Sequence, residues 1–186
     1  MDQDNPSAWV RRFVPLIRGG GRVLDLAAGS GRHTRLLVDM GFTVTAVDRD
    51  VTALPRFVDA RCQVVALDLE SGAPWPLGGH YDGIVVTNYL HRPLFASIAA
   101  ALAAGGVLIY ETFALGNARF GRPRNPDFLL RPGELLDAFA GLTPVAFEQG
   151  EVSRPRPAVV QRLAAVNGPV GILPPATGSD KPMRES

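Results

Sequence analysis

Residues 22–34, RVLDLAAGSGRHT, set a short apolar run against a turn of small residues, with a helix-like segment behind it. Ala27, Ala28, Gly29, Ser30 and Gly31 fill that turn. An ordinary surface loop tolerates almost any side chain. Five small residues in succession therefore indicate that another group must approach the backbone closely. The fold depends on what flanks this turn.

Working outward, strand-like and helix-like segments alternate. Asn5-Pro6 reads as a helix start, with Trp9, Val10, Phe13, Leu16 and Ile17 at helical spacing and Gly19–Gly21 as the stop. Strands are expected at 23–26, 43–47, 63–67, 81–87 and 107–113, and helices at 33–40, 93–104 and 132–140. A short helix distorted by Pro55 is expected over 50–58. The stretch ESGAPWPLGGH (70–80) holds two prolines and three glycines and reads as loop. Residues 115–131 form a long Arg/Pro/Gly/Asn-rich loop of functional length, and two last strands are expected at 142–148 and 158–166. Continuous apolar runs such as GIVVT and GVLIY suit strands covered on both faces. The fold expected is a doubly wound, Rossmann-like α/β domain. Its sheet is mostly parallel and seven-stranded, with helices on both faces. One domain spans residues 1–167, followed by a flexible Pro/Gly-rich tail at 168–186.

Composition excludes several classes. The chain has 186 residues, enough for one full core, and 46% of them are hydrophobic. A net charge of +1 argues against a general nucleic-acid coat, and a single cysteine, Cys62, excludes a disulfide framework or a cysteine-based zinc cluster. The N-terminal MDQDNPSAWVRRF lacks the apolar core of a secretory signal, and no apolar run is long enough to span a membrane. A cytoplasmic protein with no metal and no membrane partner is expected.

In such a sheet, ligands bind beyond the C-terminal strand ends. Those ends carry Asp25, Asp48, Asp68, Asn88 and Glu111. One acid at a strand end is explained by helix capping; four on one rim are not. Asp48 ends the strand after the glycine turn, where a carboxylate accepts both hydroxyls of a ribose. NAD and S-adenosylmethionine both satisfy that position. Thr34 stands where a dinucleotide fingerprint needs its third glycine, and Asp25 puts an anion near the bend. An anion there repels pyrophosphate and suits an ammonium group.

With these residues in view, VLDLAAGSGRHT resembles the first motif of the class I S-adenosylmethionine-dependent methyltransferases. VTAVDRD, VVALDLE and YDGIVVTNYLHR resemble their second, third and fourth motifs. The similarity covers about residues 9–166 and is nearest the small bacterial tellurite-resistance-like branch. Ala27 replaces the first glycine of the motif, which is tolerable if its φ stays negative. The resemblance implies S-adenosyl-L-methionine as cofactor. Asp25 would hold its amino group, often through water, and the backbone of Ala27, Gly29 and Gly31 would lie along it. Asp48 would take the ribose, with Arg49 near the adenine. Asp68 would accept from the adenine amino group and Leu69 would add apolar contact. Asn88 and Tyr89 would close the site beside the sulfonium.

A sulfonium methyl is already activated, so alignment of the acceptor does most of the work and a general base is optional. No catalytic residue is assigned; Tyr89, His91 and Glu111 are candidates. Arg119 and Arg122, with Arg124, are candidates for holding an anionic small-molecule acceptor. His91 also reads as a cap, Glu111 as half of a salt bridge, His33 as a surface helix residue, and Trp9 and Phe13 as core. Three other functions compete. A nucleic-acid methyltransferase is opposed by the nearly neutral charge and, for amino-group methylation of a flipped base, by the lack of Asn/Asp-Pro-Pro-aromatic in TNYLHRP. A nicotinamide-dependent oxidoreductase is opposed by Thr34. A non-catalytic S-adenosylmethionine-binding protein is not distinguished by motifs.

Overall fold

The computed structural model describes residues 5–54 and 61–171. Helix α1 (Ala8–Phe13) is followed by β1 (Arg22–Leu26), α2 (Arg32–Asp39), β2 (Thr43–Asp48) and β3 (Cys62–Ala66). Then come β4 (Tyr81–Thr87), α3 (Phe95–Ala101), β5 (Leu102–Phe113), α4 (Glu134–Ala138), β6 (Thr143–Val152) and β7 (Ala158–Val166). The seven strands lie in the order β3-β2-β1-β4-β5-β7-β6. Strands β1 to β5 pair in parallel, and β7 runs antiparallel between β5 and β6. The chain leaves β1 toward one edge and restarts at β4 on its other side. That reversal leaves a crevice beyond the ends of β1 and β4. The small-residue turn and Asn88 both lie there.

Strand pleating divides the core. Leu24, Leu26, Ile84, Val86, Leu108 and Tyr110 face one cluster with Ile98 of α3 and Leu135 of α4. Val23, Val85, Val107 and Ile109 face the other, with Trp9, Val10 and Phe13 of α1 and Leu37 of α2. Each such side chain contributes about 1.5–3 kcal/mol by leaving water. Trp9 and Phe13 are therefore core, as the helical spacing indicates.

Several boundaries differ from the sequence expectation. Helix α1 is capped by Ser7, whose Oγ accepts from Trp9 N at 3.1 Å, instead of Asn5. The helix expected to reach residue 104 stops at Ala101, and Leu102 already belongs to β5. The Asn167 side chain donates to the carbonyls of Leu102 and Ala103, and Gly105 N donates to Asn167 O. These long-range bonds hold the alanine-rich segment extended against its propensity. Helix α4 is shortened to Glu134–Ala138 because Gly133 caps it in the left-handed region and Phe139 leaves helical geometry. Strand β6 extends to Val152. The helix expected over 50–58 runs into residues outside those described; Val51–Leu54 form a turn. The tail beyond residue 171 also lies outside them.

Candidate functional site

The turn after β1 is held from beneath. Ala28 N donates to Val47 O and Gly31 N to Ala28 O, both at 2.9 Å, and Gly29 N donates to Asp48 Oδ2 at 2.7 Å. Gly29 (φ 56°) and Gly31 (φ 78°) take the left-handed backbone that glycine allows freely. Ala27 takes it too, at φ 56°, against the expectation of a negative φ. The tethers to β2 impose that conformation, which costs about 1–2 kcal/mol for a residue with a Cβ. A Cβ built on Gly29 would meet nothing within 4 Å, so the outer side of the turn is bare backbone.

Around this turn the expected acids take different positions. Asp25 is buried beneath α2, 1% exposed, and Thr34 Oγ1 donates to its Oδ2 at 2.6 Å. Burial pushes its carboxyl up to about 6, although the Thr34 hydroxyl and backbone and nearby Arg32 act the other way. At 1% exposure the Asp25 carboxyl presents no open edge at the surface of the crevice. Thr34 is thus more than a departure from the dinucleotide pattern, because it fixes the buried acid. Asp48 ends β2 with Oδ1 accepting from Asp50 N at 3.1 Å; one lone pair of each oxygen is used locally and others remain. Arg49 and Asp68 are exposed, Asp68 Oδ1 accepts from Glu70 N at 2.9 Å, and Leu69 packs half-buried against the core.

On the other side of the crevice, Asn88 is exposed at φ 54°, its N donating to Glu111 O at 2.9 Å. Tyr89 turns its hydroxyl toward the acids. Burial raises its phenol well above the usual range, with Glu70, Asp68 and Asp48 adding to the rise. The Oη is buried with no hydrogen-bond partner; Glu70 lies near it without meeting it in bonding geometry. A phenol so raised donates a hydrogen bond and does not serve as a base at neutral pH.

Two other candidates acquire structural partners. Glu111 forms a nearly buried ion pair with Arg162, Oε2 to Nε at 2.6 Å, and Arg162 also pairs with Glu148 at 3.1 Å. Arg119 pairs with Glu151 across the loop and covers the Phe120 ring at 4.8 Å. Glu111 is the salt-bridge residue that the sequence left as one of two readings, and Arg119 is not a free cation. His91 is half-buried and caps a 3₁₀ turn through its carbonyl, accepting from Leu94 N at 3.1 Å. Arg122 and Arg124 are exposed.

Three arrangements had no sequence signal. His33, expected on the surface, is 1% exposed. Burial first, then Arg32 and Arg11, lowers its imidazole to about 3, so it is neutral. Its Nε2 accepts from Ser7 N at 3.0 Å, which leaves Nδ1 to donate to Thr87 Oγ1 at 3.3 Å. It thereby ties the entry of α1 to the end of β4. Arg92, just after Tyr89, spends its donors on Glu134 (2.6 and 3.0 Å), Asp127 O (2.6 Å) and Leu129 O (2.9 Å). Those bonds, with the Arg131 backbone and side chain, hold the Glu134 carboxyl at about 2 despite its burial. Buried Gln161 receives Leu135 N at 2.7 Å and donates to Arg131 O at 3.0 Å. The partners in each case lie far apart in sequence.

A family profile described as "Methyltransferase domain" matches residues 2–130. The chain belongs to the class I S-adenosylmethionine-dependent methyltransferases. Protein-L-isoaspartate O-methyltransferase of Chlorobaculum tepidum is 33% identical over 101 residues, covering 52% of this chain and 47% of that enzyme. The chain spans about half the length of the curated relatives it matches. TehB from Haemophilus influenzae superposes with a TM-score of 0.67 at 18% identity, covering 82% of this chain and 59% of TehB. Burkholderia thailandensis 1,6-didemethyltoxoflavin-N1-methyltransferase, solved with its substrate and S-adenosylhomocysteine, superposes with a TM-score of 0.59 at 24% identity. It covers 87% of this chain and 77% of that one. These superpositions agree with the seven-stranded sheet. The cofactor of this methyltransferase family is S-adenosylmethionine. Bare backbone at Gly29, the Asp48 carboxylate beside it and the unpartnered Tyr89 Oη fit a ligand with a diol, an ammonium and an amino-bearing base. Among the described residues, no helix is long and apolar enough to cross a membrane, and no cluster of His, Cys, Asp and Glu has metal-binding spacing.

Proposed function

We propose that the protein transfers a methyl group from S-adenosylmethionine to an anionic small-molecule acceptor. The observation that carries the cofactor half is the Gly29–Asp48 contact at the switch point, where backbone bare of side chains meets a carboxylate with free lone pairs. In this reading Asp48 receives the ribose hydroxyls and the backbone of Ala27, Gly29 and Gly31 borders the methionine part. Asp25 orders the water or backbone that meets the ammonium. Asp68, Leu69 and Arg49 border the adenine. When bound, the cofactor supplies an electrophilic methyl group. The chain's own residues align and desolvate: Asn88 stands at the end of β4, and Tyr89 donates from its side of the crevice. Positioning of this kind contributes about 7–11 kcal/mol to a displacement. Tyr89 and Glu111 drop out as bases, because one is held protonated and the other is paired with Arg162; His91 is the remaining candidate if the acceptor must lose a proton.

Arg122 is the loop cation that supports an anionic acceptor, since Arg119 is engaged by Glu151. A small-molecule methyltransferase occurs among the structural neighbours, the Burkholderia enzyme with bound 1,6-didemethyltoxoflavin. A single domain ending near residue 167 and a cytoplasmic location complete the reading. Calorimetry with S-adenosylhomocysteine and with NAD tests it. Saturable binding of the former and none of the latter is expected, and at 100-fold excess over its dissociation constant the bound ligand adds about 2.7 kcal/mol to stability. Binding of NAD alone overturns the reading.

A further inference from the structure

At the end of the sheet where β5 finishes, two loops rich in arginine and proline stand side by side. One is the 115–131 loop; the other is the β6–β7 turn, SRPRP at 153–157. Strand β7 runs antiparallel to β5, with Phe113 opposite Val160, so the turn before β7 lies beside the loop after β5. Each loop touches the strand that leads into the other: Arg119 pairs with Glu151 near the end of β6, and the Arg156 guanidinium lies 5.9 Å from the ring centre of Phe113 at the end of β5. Arg122, Arg124, Arg154 and Arg156 are exposed, and none of them has an ion-pair partner among the described residues. Residues 115–128 and 151–157 together hold five arginines against Asp127 and Glu151, in a chain whose net charge is only +1. Six large apolar side chains are exposed among the described residues, and three of these, Leu115, Phe120 and Phe128, lie on the same loop.

We propose that this double-loop patch is a docking surface for an anionic lipid bilayer. Guanidinium groups without carboxylate partners, interleaved in sequence with exposed apolar side chains, match a surface of phosphates above hydrocarbon. A small ligand needs a concave site. Arg154 and Arg156, outside the 115–131 loop proposed for the acceptor, line neither the cavity of about 620 Å³ beside Arg92 and Glu134 nor that of about 410 Å³ beside Glu151. A polynucleotide crossing the rim to the crevice would run its phosphates over the Asp48, Asp68 and Glu70 carboxylates. The expectation of no membrane partner rested on the lack of a spanning segment, and surface docking requires none. Asn88 N bonds to Glu111 O, so the patch opens beside the β4 side of the crevice.

Co-sedimentation of the full chain with vesicles tests the proposal. Binding to phosphatidylglycerol–phosphatidylcholine vesicles is expected, with little binding to phosphatidylcholine alone and release by high salt. The double variants Arg122→Ala/Arg124→Ala and Arg154→Ala/Arg156→Ala are each expected to lower vesicle affinity about tenfold or more. Phe120→Ser/Phe128→Ser is expected to weaken it while leaving the lipid-charge preference. S-adenosylhomocysteine binding, measured on the same proteins, stays unchanged, which shows that each variant is folded and keeps this test separate from the methyltransferase reading. Equal sedimentation with both vesicle types, or undiminished binding by both arginine variants, overturns the proposal. So does tighter binding of random-sequence RNA than of anionic vesicles, which assigns the patch to nucleic acid.

Discussion

On the β1–β3 side of the crevice, carboxylates accept from groups within twenty positions: Asp48 from the backbone of Gly29 and Asp50, Asp68 from Glu70 N, and Asp25 from the Thr34 hydroxyl. On the β4–β7 side, ion pairs and amide side chains join residues separated by tens of positions, as with Arg92 and Glu134 or Leu135 and Gln161. The first side is a set of local turns that leaves carboxylate capacity free for a ligand. The second uses its charges to hold a long loop in place. The contrast teaches that charge at a strand end does not by itself mark a ligand group, since Glu111 and Arg119 are charged rim residues taken up by the protein itself.

The largest effect is expected where a buried pair is broken. Glu134→Ala leaves the Arg92 guanidinium half-buried without its carboxylate and should lower stability by about 3–5 kcal/mol. The Glu134 carboxyl titrates near 2 in the fold, below its unfolded value. Its stabilisation is therefore present above the ordinary carboxylate range and lost as pH falls toward 2. Urea unfolding of the variant measures this, and an unchanged midpoint would mean that Gln161, through Leu135 N and Arg131 O, holds the loop without Arg92.

Asp25 sharpens the comparison because its sign is reversed. Its folded value, about 6, lies above the unfolded one of 3.8, so its contribution is full below the unfolded value and lost as pH rises through 6. Asp25→Asn should therefore exceed the parent in stability by about 2–3 kcal/mol at alkaline pH and match it in acid, while binding S-adenosylhomocysteine more weakly. Parallel stability–pH curves for the two proteins would show that burial of this carboxylate is not the cost inferred.

Asp48→Ala removes the acceptor proposed for the ribose and should weaken S-adenosylhomocysteine by about 2 kcal/mol, roughly thirtyfold. Calorimetry on the folded variant decides it, and unaltered affinity would place the ligand elsewhere. The smallest effect is expected at Arg119→Ala. The Arg119–Glu151 pair has more than half of each side chain exposed, and thermal unfolding should shift by less than about 1 kcal/mol. A larger loss would make that pair a main support of the loop.

The turn and the rim acids proposed for the cofactor were legible as positions in the fold because their signals are contiguous. A strand, small residues and a helix start lie within residues 22–34, and each later acid follows its own apolar run. Even there, Ala27 was misjudged, since its positive φ is imposed by hydrogen bonds reaching Val47 and Asp48. The acceptor half was far less legible. Whether Arg119, Glu111 or His33 is free depends on Glu151, Arg162, Ser7 and Thr87, which the chain order does not place nearby.

The sequence alone determined the doubly wound class, the seven-stranded mostly parallel sheet and the family, because period, turn chemistry and motif spacing act over a few residues. Tertiary structure decided where the alanine-rich helix stops, which rim charges pair internally, and that His33 is buried and neutral. Those outcomes depend on burial and on partners brought together across the sheet. Local sequence does not encode the dielectric around a side chain or the distant group that meets it.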